Sequence, residues 1–457
     1  MLRIFSTVAL ILMTQLLSAQ TTDPAIVHWL QNTTETGSYY VSGNSTPIDN
    51  GVLYNCQEVC YSASNVFIKT KGIPAYPTGP FLDGNPSLAV DQDAIFKIPL
   101  NPQPATGAPT ATTPGRIGVF INGVSLFDFR DGVAWDAANN RLCGGPGNPR
   151  CQGPPGQVQD WNRDAVLAEM AGFDCSKAHP AMGNYHHHQN PSAFKWDLLE
   201  VSNICNLYDA DGLYAIDSTQ HSPLIGFAYD GYPIYGAYGY KNNDGTGGIT
   251  RIKSGYQLRN ITQRTHHADG TDVDDGPDVA GTYFLGYFRE DYEWIAHTGE
   301  EDYLDEHNGR FCVTPEYPNG TYAYFATIDQ NWNSAYPYVI GPTFYGEYAN
   351  RLVPSVDEAC TVFSPVLSVN PGQIDLTVRV YPNPCSEFVA VQLPGLRTQQ
   401  VEVKLYDLAG QLIKSTSISP GSTLSYIETD TLYNGEYILV AHDGKKTISR
   451  KITVLHE

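Results

Sequence analysis

From residue 378 the chain is cut into short alternating segments: "FVAVQL", "VEVKLYD", "QLIKSTS", "EYILVAHDG" and "KKTISRKITV". Each runs for about the length of one strand and stops at Gly, Asn, Asp or Pro. A period of two places every second side chain on one face, which a strand can bury and a helix cannot. Roughly seven such strands in about eighty residues specify a small β-sandwich at the C-terminus.

Charge marks the same division. Residues 378–457 hold 8 Lys/Arg and 8 Asp/Glu, so 19 of the 27 basic and 40 of the 48 acidic residues lie before them. The net charge of −21 therefore belongs to the larger N-terminal part. A compositional break near "SPVLSVNPGQIDLTV" predicts a domain boundary. An acidic surface of this size repels phosphate backbones, which argues against nucleic acid as a partner and for cations.

The first residues, "MLRIFSTVALILMTQLLSAQ", join Arg3, an apolar run and the small-residue end Leu17-Ser18-Ala19. This pattern predicts a secretory signal peptide over residues 1–19. No later apolar run is long enough to span a bilayer, so the mature chain is expected to have no transmembrane helix. Export exposes nine cysteines to oxidising conditions, with one left over. Cys56–Cys60, Cys143–Cys151 and Cys175–Cys205 are local pairs the spacing permits, though sequence alone does not fix the connectivity.

Residues 20–115 read as strands and proline-punctuated loops. "RIGVFINGVSLFDF" predicts a hairpin about Asn122-Gly123. "DWNRDAVLAEMAGFD" predicts a helix capped by Asp160, with Val166, Leu167 and Met170 as its apolar face. "HSPLIGFAYDGYPIYG" is strand-like and breaks at Asp230-Gly231. The fold expected is mainly β with a few short helices: a mixed-sheet body followed by the C-terminal sandwich.

Nine of the twelve histidines fall between residues 179 and 307. On a strand through "NYHHHQ", His186 and His188 share one face, with His187 and Tyr185 on the other. A His-x-His pair is a half-site for copper or zinc, which bind neutral imidazole. His221 and His307 are candidates for the third nitrogen. Asp230 and Glu306 are candidates for oxygen ligands or for groups that orient the imidazoles, as are Tyr185 and His187. The alternative is a polar core in which these rings hydrogen-bond to tyrosines and backbone. "HHADGTDVDDGPD" offers Asp269, Asp272, Asp274, Asp275 and Asp278 to calcium, and "YDADGLY" offers Asp209 and Asp211; the alternative for both is a solvated acidic loop. "LDEHNGR" places Asp305, Glu306, His307 and Arg310 together, the raw material of a hydrolase. The thirty tyrosines suit a different class, a non-enzymatic glycan-binding or adhesion module with a glycan or other small ligand. Enzymatic activity is left open by these readings.

Two resemblances add to them. "VYPNPCSEFVAVQL", "VEVKLYDLAGQLIKS" and "LYNGEYILVAHDGKKTISRKITV" resemble, in order, the C-terminal sorting domain of type IX secretion cargo. The resemblance implies recognition by the type IX machinery, export across the outer membrane of a Bacteroidetes-type bacterium, and release or attachment at the cell surface. That tail is usually removed. It would take Cys385 with it, leaving eight cysteines and room for four disulfides. "IGVFINGVSLFDF", "GNYHHHQNP", "HSPLIGFAYDGYPIYG" and "LDEHNGRFCVTPEYPNGTYAYF" resemble blocks of the YHYH domain family. The Tyr-His-Tyr-His pattern falls on Tyr185, His186, His187 and His188, with histidine in the third place. Ala323 stands where some relatives carry other residues. The family's function is uncharacterised, so this resemblance implies a domain and no activity. The organisation expected is a leader to residue 19, a strand-rich stretch 20–115, a YHYH domain 116–345, a linker 346–377 and the sorting domain 378–457.

Overall fold

The computed structural model describes residues 21–44, 46–82, 87–145, 147–153, 158–192, 205, 212–364, 378–393, 400–408, 410–419, 423–444 and 447–456. The leader, Asp209 and Asp211 lie outside them. The chain divides into two compact units, Met1–Pro365 and Val366–Glu457. No described helix is long and apolar enough to cross a membrane.

The first unit is organised by an eight-stranded mixed sheet. Its strands are β1 (Arg116–Phe120), β2 (Ser125–Phe127), β3 (Ala178–Ala181), β4 (Asn184–His187), β5 (Leu224–Ala228), β6 (Pro233–Tyr235), β7 (Gly309–Cys312) and β8 (Thr321–Phe325). They lie in the order β3-β4-β2-β1-β5-β6-β8-β7. Pairing is antiparallel except at β4–β2 and β6–β8, which are parallel. Every residue of β5 and β6 is buried. Strands covered on both faces have no polar side to alternate with, which is why this segment reads as continuous apolar sequence. Pro233 is tolerated because it opens β6.

The Asn122-Gly123 hairpin joins β1 to β2 as the dipeptide predicts. Gly123 has φ +79°, and a Cβ there would lie 2.1 Å from Thr70 Oγ1. Only glycine fits that turn and that approach.

The helix differs from expectation. Asn162–Asp164 is a strand paired with Arg130–Asp136, and the helix, α1, is only Ala165–Glu169. Asp164, not Asp160, caps it, accepting from Val166 N at 2.8 Å and Leu167 N at 3.3 Å. Leu167 is exposed, so the apolar face is Ala165 and Val166.

A second sheet joins Thr361–Val362, Cys56–Tyr61, Asn65–Thr70 and Ala94–Pro99 in that order. It corrects two expectations. Residues 346–364 are not a linker: Leu352 bridges Phe96, Thr361–Val362 is a strand, and Phe363 is buried. Nor does Cys56 pair with Cys60. Four residues along one strand separate them by about 13 Å, twice what a disulfide spans. Cys60 instead bonds Cys360, while Cys143–Cys151 and Cys175–Cys205 form. Cys56 and Cys312 are buried thiols, so the body holds three disulfides and not four.

Cys60–Cys360 closes a 300-residue separation. The variant C60A/C360A should lose about 2–5 kcal/mol of stability, more than C143A/C151A, whose loop is far shorter. Urea unfolding of the two variants measures this; equal losses would contradict it.

The second unit packs a three-stranded sheet (Arg379–Tyr381, Phe388–Gln392, Leu424–Glu428) and a four-stranded one (Val401–Tyr406, Leu412–Ile418, Gly435–His442, Thr447–Val454) around one core. Val389 and Val391 of the first sheet meet Val403, Leu405, Leu439 and Ala441 of the second. The alternation in "VEVKLY" is that core face: Val401, Val403 and Leu405 are buried and Glu402 is exposed.

Candidate metal centre

The site starts from a hairpin. β3 and β4 are joined by two residues, Met182 and Gly183, with φ +49° and +84°. Two left-handed residues make the tight turn whose twist matches paired strands. The turn fixes the register, setting His179 opposite His186 and Pro180 opposite Tyr185. Directly opposed residues share a face. His188, two residues beyond His186, joins them, and the three imidazoles converge with their potential ligand atoms all within 4.8 Å of one another.

Their hydrogen bonds fix which nitrogens are available. His186 Nδ1 lies 2.8 Å from the Asn184 carbonyl, and His188 Nδ1 lies 2.5 Å from the Asp128 carbonyl. A carbonyl only accepts, so both Nδ1 atoms carry hydrogen and donate. In neutral rings that leaves both Nε2 atoms as lone pairs, and they face each other at 3.0 Å. His179 points its Nε2 to 3.2 Å from Glu169 Oε2, and His188 Nε2 lies 3.2 Å from the same oxygen. None of these contacts to Glu169 Oε2 has hydrogen-bond geometry, and neither ring nitrogen of His179 has a hydrogen-bond partner.

Aromatic rings wall the cluster. Phe127 stacks on His186 with centroids 3.9 Å apart, and Phe173 meets His179 edge-on at 4.9 Å. All three histidines are buried, whereas the Glu169 side chain keeps 25% exposure. Burial, then the charges of His188 and His179, push His186 well below the ordinary histidine value. Burial acts the same way on His188, but contact with Glu169 outweighs it and raises that ring. Glu169 is in turn held well below the carboxylate range: burial would raise it, and its contacts with His179 and His188 prevail.

The other face of β4 has a different use. His187 Nε2 lies 3.0 Å from the Tyr76 hydroxyl, and its ring meets Phe120 edge-on. Burial first of all pushes it down to about 3, so it is a neutral core imidazole. Tyr185 donates to Asp174 Oδ2 at 2.8 Å.

The remaining candidates are not brought to the three imidazoles. His221 Nδ1 donates to the Ser222 carbonyl at 2.7 Å, and its ring packs on Tyr235 and Tyr240. His307 Nδ1 lies 2.7 Å from Thr343 Oγ1, with Tyr345 beside the ring. Glu306 is exposed, 3.9 Å from His307 Nε2. Asp230 ties the sheet to the segment after it, accepting from Tyr324 Oη at 2.5 Å and Gly346 N at 2.9 Å. In "LDEHNGR" the polar groups brace the turn: Asp305 accepts from His307 N, Gly309 N and Tyr322 Oη, and Arg310 donates to backbone carbonyls of Tyr240 and Lys241.

The aspartate-rich loop forms no oxygen cage among the described residues. Asp269 accepts from Thr271 N, Asp272 faces His266 at 3.5 Å, and Asp274 bonds Asp160 and Trp161 through its backbone. Asp275 and Asp278 are exposed. Proximity along a chain does not place carboxylates around one point.

His179 and Glu169 are the residues that sequence reasoning missed. His179 had a signal: reading Met182-Gly183 as a two-residue turn puts it opposite His186. Methionine obscured that turn, because Asn or Asp usually takes the first left-handed position. Glu169 had none, since its approach depends on the tertiary placement of α1.

Two family models match the chain. Residues 95–337 match the family model described as YHYH protein. Residues 379–455 match the one described as secretion system C-terminal sorting domain. The comparison with curated proteins finds no match.

Proposed function

The chain belongs to the YHYH protein family and is a secreted or outer-surface protein addressed to the type IX machinery by its sorting domain; from that premise we propose that its body holds one divalent transition-metal ion on His179, His186 and His188. The observation that supports this is the pair of Nε2 atoms facing each other at 3.0 Å while both Nδ1 atoms donate to carbonyls. Lone pair against lone pair is repulsive, and a cation between them removes the conflict. A backbone carbonyl on the far nitrogen is the usual support of a metal-bound histidine, fixing its tautomer and orientation. Neutral imidazole suits zinc and copper.

The competing solution is a proton, with His188 as an imidazolium against Glu169. Titration separates the two. Full-length protein without a histidine tag, freed of metal by chelator and dialysed, is titrated calorimetrically with Zn(II) and with Cu(II). One equivalent should bind with the wild type and none with H186A/H188A. No uptake by the wild type, or unchanged uptake by the double variant, would contradict the proposal. H187A is the control: it should retain full stoichiometry while losing about 1–3 kcal/mol of stability, because His187 is a core residue.

A further inference from the structure

We infer that Glu169 supplies the fourth and closing ligand of this centre, making the ion a structural staple and not a reaction centre. The inference rests on the three-imidazole reading above and adds to it the ligand set and the role.

The first support is spacing. Four ligands at bonds of about 2.0–2.1 Å in a tetrahedron lie roughly 3.3 Å apart. Glu169 Oε2 is 3.2 Å from both His179 Nε2 and His188 Nε2, close to the 3.0 Å between His186 and His188. The carboxylate therefore stands at ligand-to-ligand distance from two of the imidazoles, and the three imidazoles, whose ligand atoms spread to 4.8 Å, would draw together around the ion. Its Oε2 is buried and has no hydrogen-bond partner. A carboxylate oxygen so placed, buried and aimed into a cluster of imidazole nitrogens, has a cation as its natural partner.

The second support is how Glu169 is held. It ends α1, whose first turn is capped by Asp164, and Asp164 Oδ2 accepts from Tyr338 Oη at 2.7 Å. Asp164 and Tyr338 are both buried. The helix is thus anchored in the core and delivers its last side chain to the histidine face. Catalytic zinc sites keep one position for water or substrate, whereas structural sites fill all four with protein. Here Phe127 and Phe173 cover the flanks, and the most exposed site group is the carboxylate itself, at 25% against 8% for His179. The ion would pin α1 to the β3–β4 hairpin.

Cobalt substitution tests this. Metal-free full-length protein is loaded with Co(II), its visible absorption recorded, and azide added in excess. A closed centre should give the intense bands of four-coordinate cobalt, and azide should not move them. In E169A, azide should enter the vacated position and shift the bands saturably. Loss of a supporting outer partner costs roughly 10–100-fold in metal affinity, so loss of a direct ligand should cost at least about 100-fold. A saturable azide shift in the wild type would overturn the closed site while leaving three-imidazole binding intact, and this arm needs no variant to fold. Equal Co(II) affinity in E169A and wild type would overturn Glu169 as a ligand. Failure of the wild type to bind Co(II), Zn(II) or Cu(II) would overturn the underlying reading, and the inference with it.

Discussion

Replacing Arg264 with methionine should destabilise the body by about 3–5 kcal/mol, the usual cost of removing one partner of a buried ion pair. Arg264 is buried, and its Nε and Nη2 each donate to an oxygen of Asp291 at 2.7 Å, with neither side chain exposed. Its Nη1 reaches the Pro277 carbonyl at 2.7 Å and its Nη2 the Phe284 carbonyl at 3.0 Å, while the guanidinium lies over Phe288. Methionine would leave Asp291 charged and unpaired and strand those carbonyls. Lysine should not rescue the loss, because a point charge cannot reproduce the planar fork. The same residue ties down the end of the aspartate-rich segment through backbone alone: the Pro277 carbonyl accepts from its Nη1, and Gly276 N donates to its carbonyl. Urea unfolding of R264M measures the effect. A loss under about 1 kcal/mol would mean the fork is not what orders this segment.

If the three histidines hold the proposed ion, chelation should lower the melting temperature of the body by roughly 5 °C. A ligand held at a thousandfold excess over its dissociation constant stabilises the native state by about 4 kcal/mol. Spread over the unfolding entropy of a body this large, that is a shift of several degrees. Scanning calorimetry before chelation, after it, and after restoring Zn(II) should show the loss and its recovery. H179A should behave like chelated wild type and gain nothing from added metal. A melting temperature indifferent to chelator would place the stabilisation in the protein's own hydrogen bonds.

What could be read in the sequence was whatever local geometry determines. Alternation in "VEVKLY" gave the sandwich face, Asn122-Gly123 gave the β1–β2 turn, and the period of two put His186 and His188 on one face and His187 on the other. What escaped depends on contacts between distant segments. His221 and His307 crowd the same stretch of sequence as the cluster, yet they pack against Tyr235 and Tyr345. Cys60 finds Cys360 across most of the body because a two-residue strand, Thr361–Val362, docks beside Cys56–Tyr61. A strand that short has no periodicity to detect. Glu169 reaches the imidazoles through a five-residue helix whose cap is set by Asp164, not by the earlier aspartate in the same run.

The most direct test of the histidine centre is elemental mass spectrometry on the exported protein, purified without a histidine tag and without added metal. A three-histidine centre should give close to one transition-metal ion per chain, falling to background in H186A/H188A and unchanged in H187A. A metal-free wild type that also takes up none on titration, or an ion that persists in H186A/H188A, would contradict it.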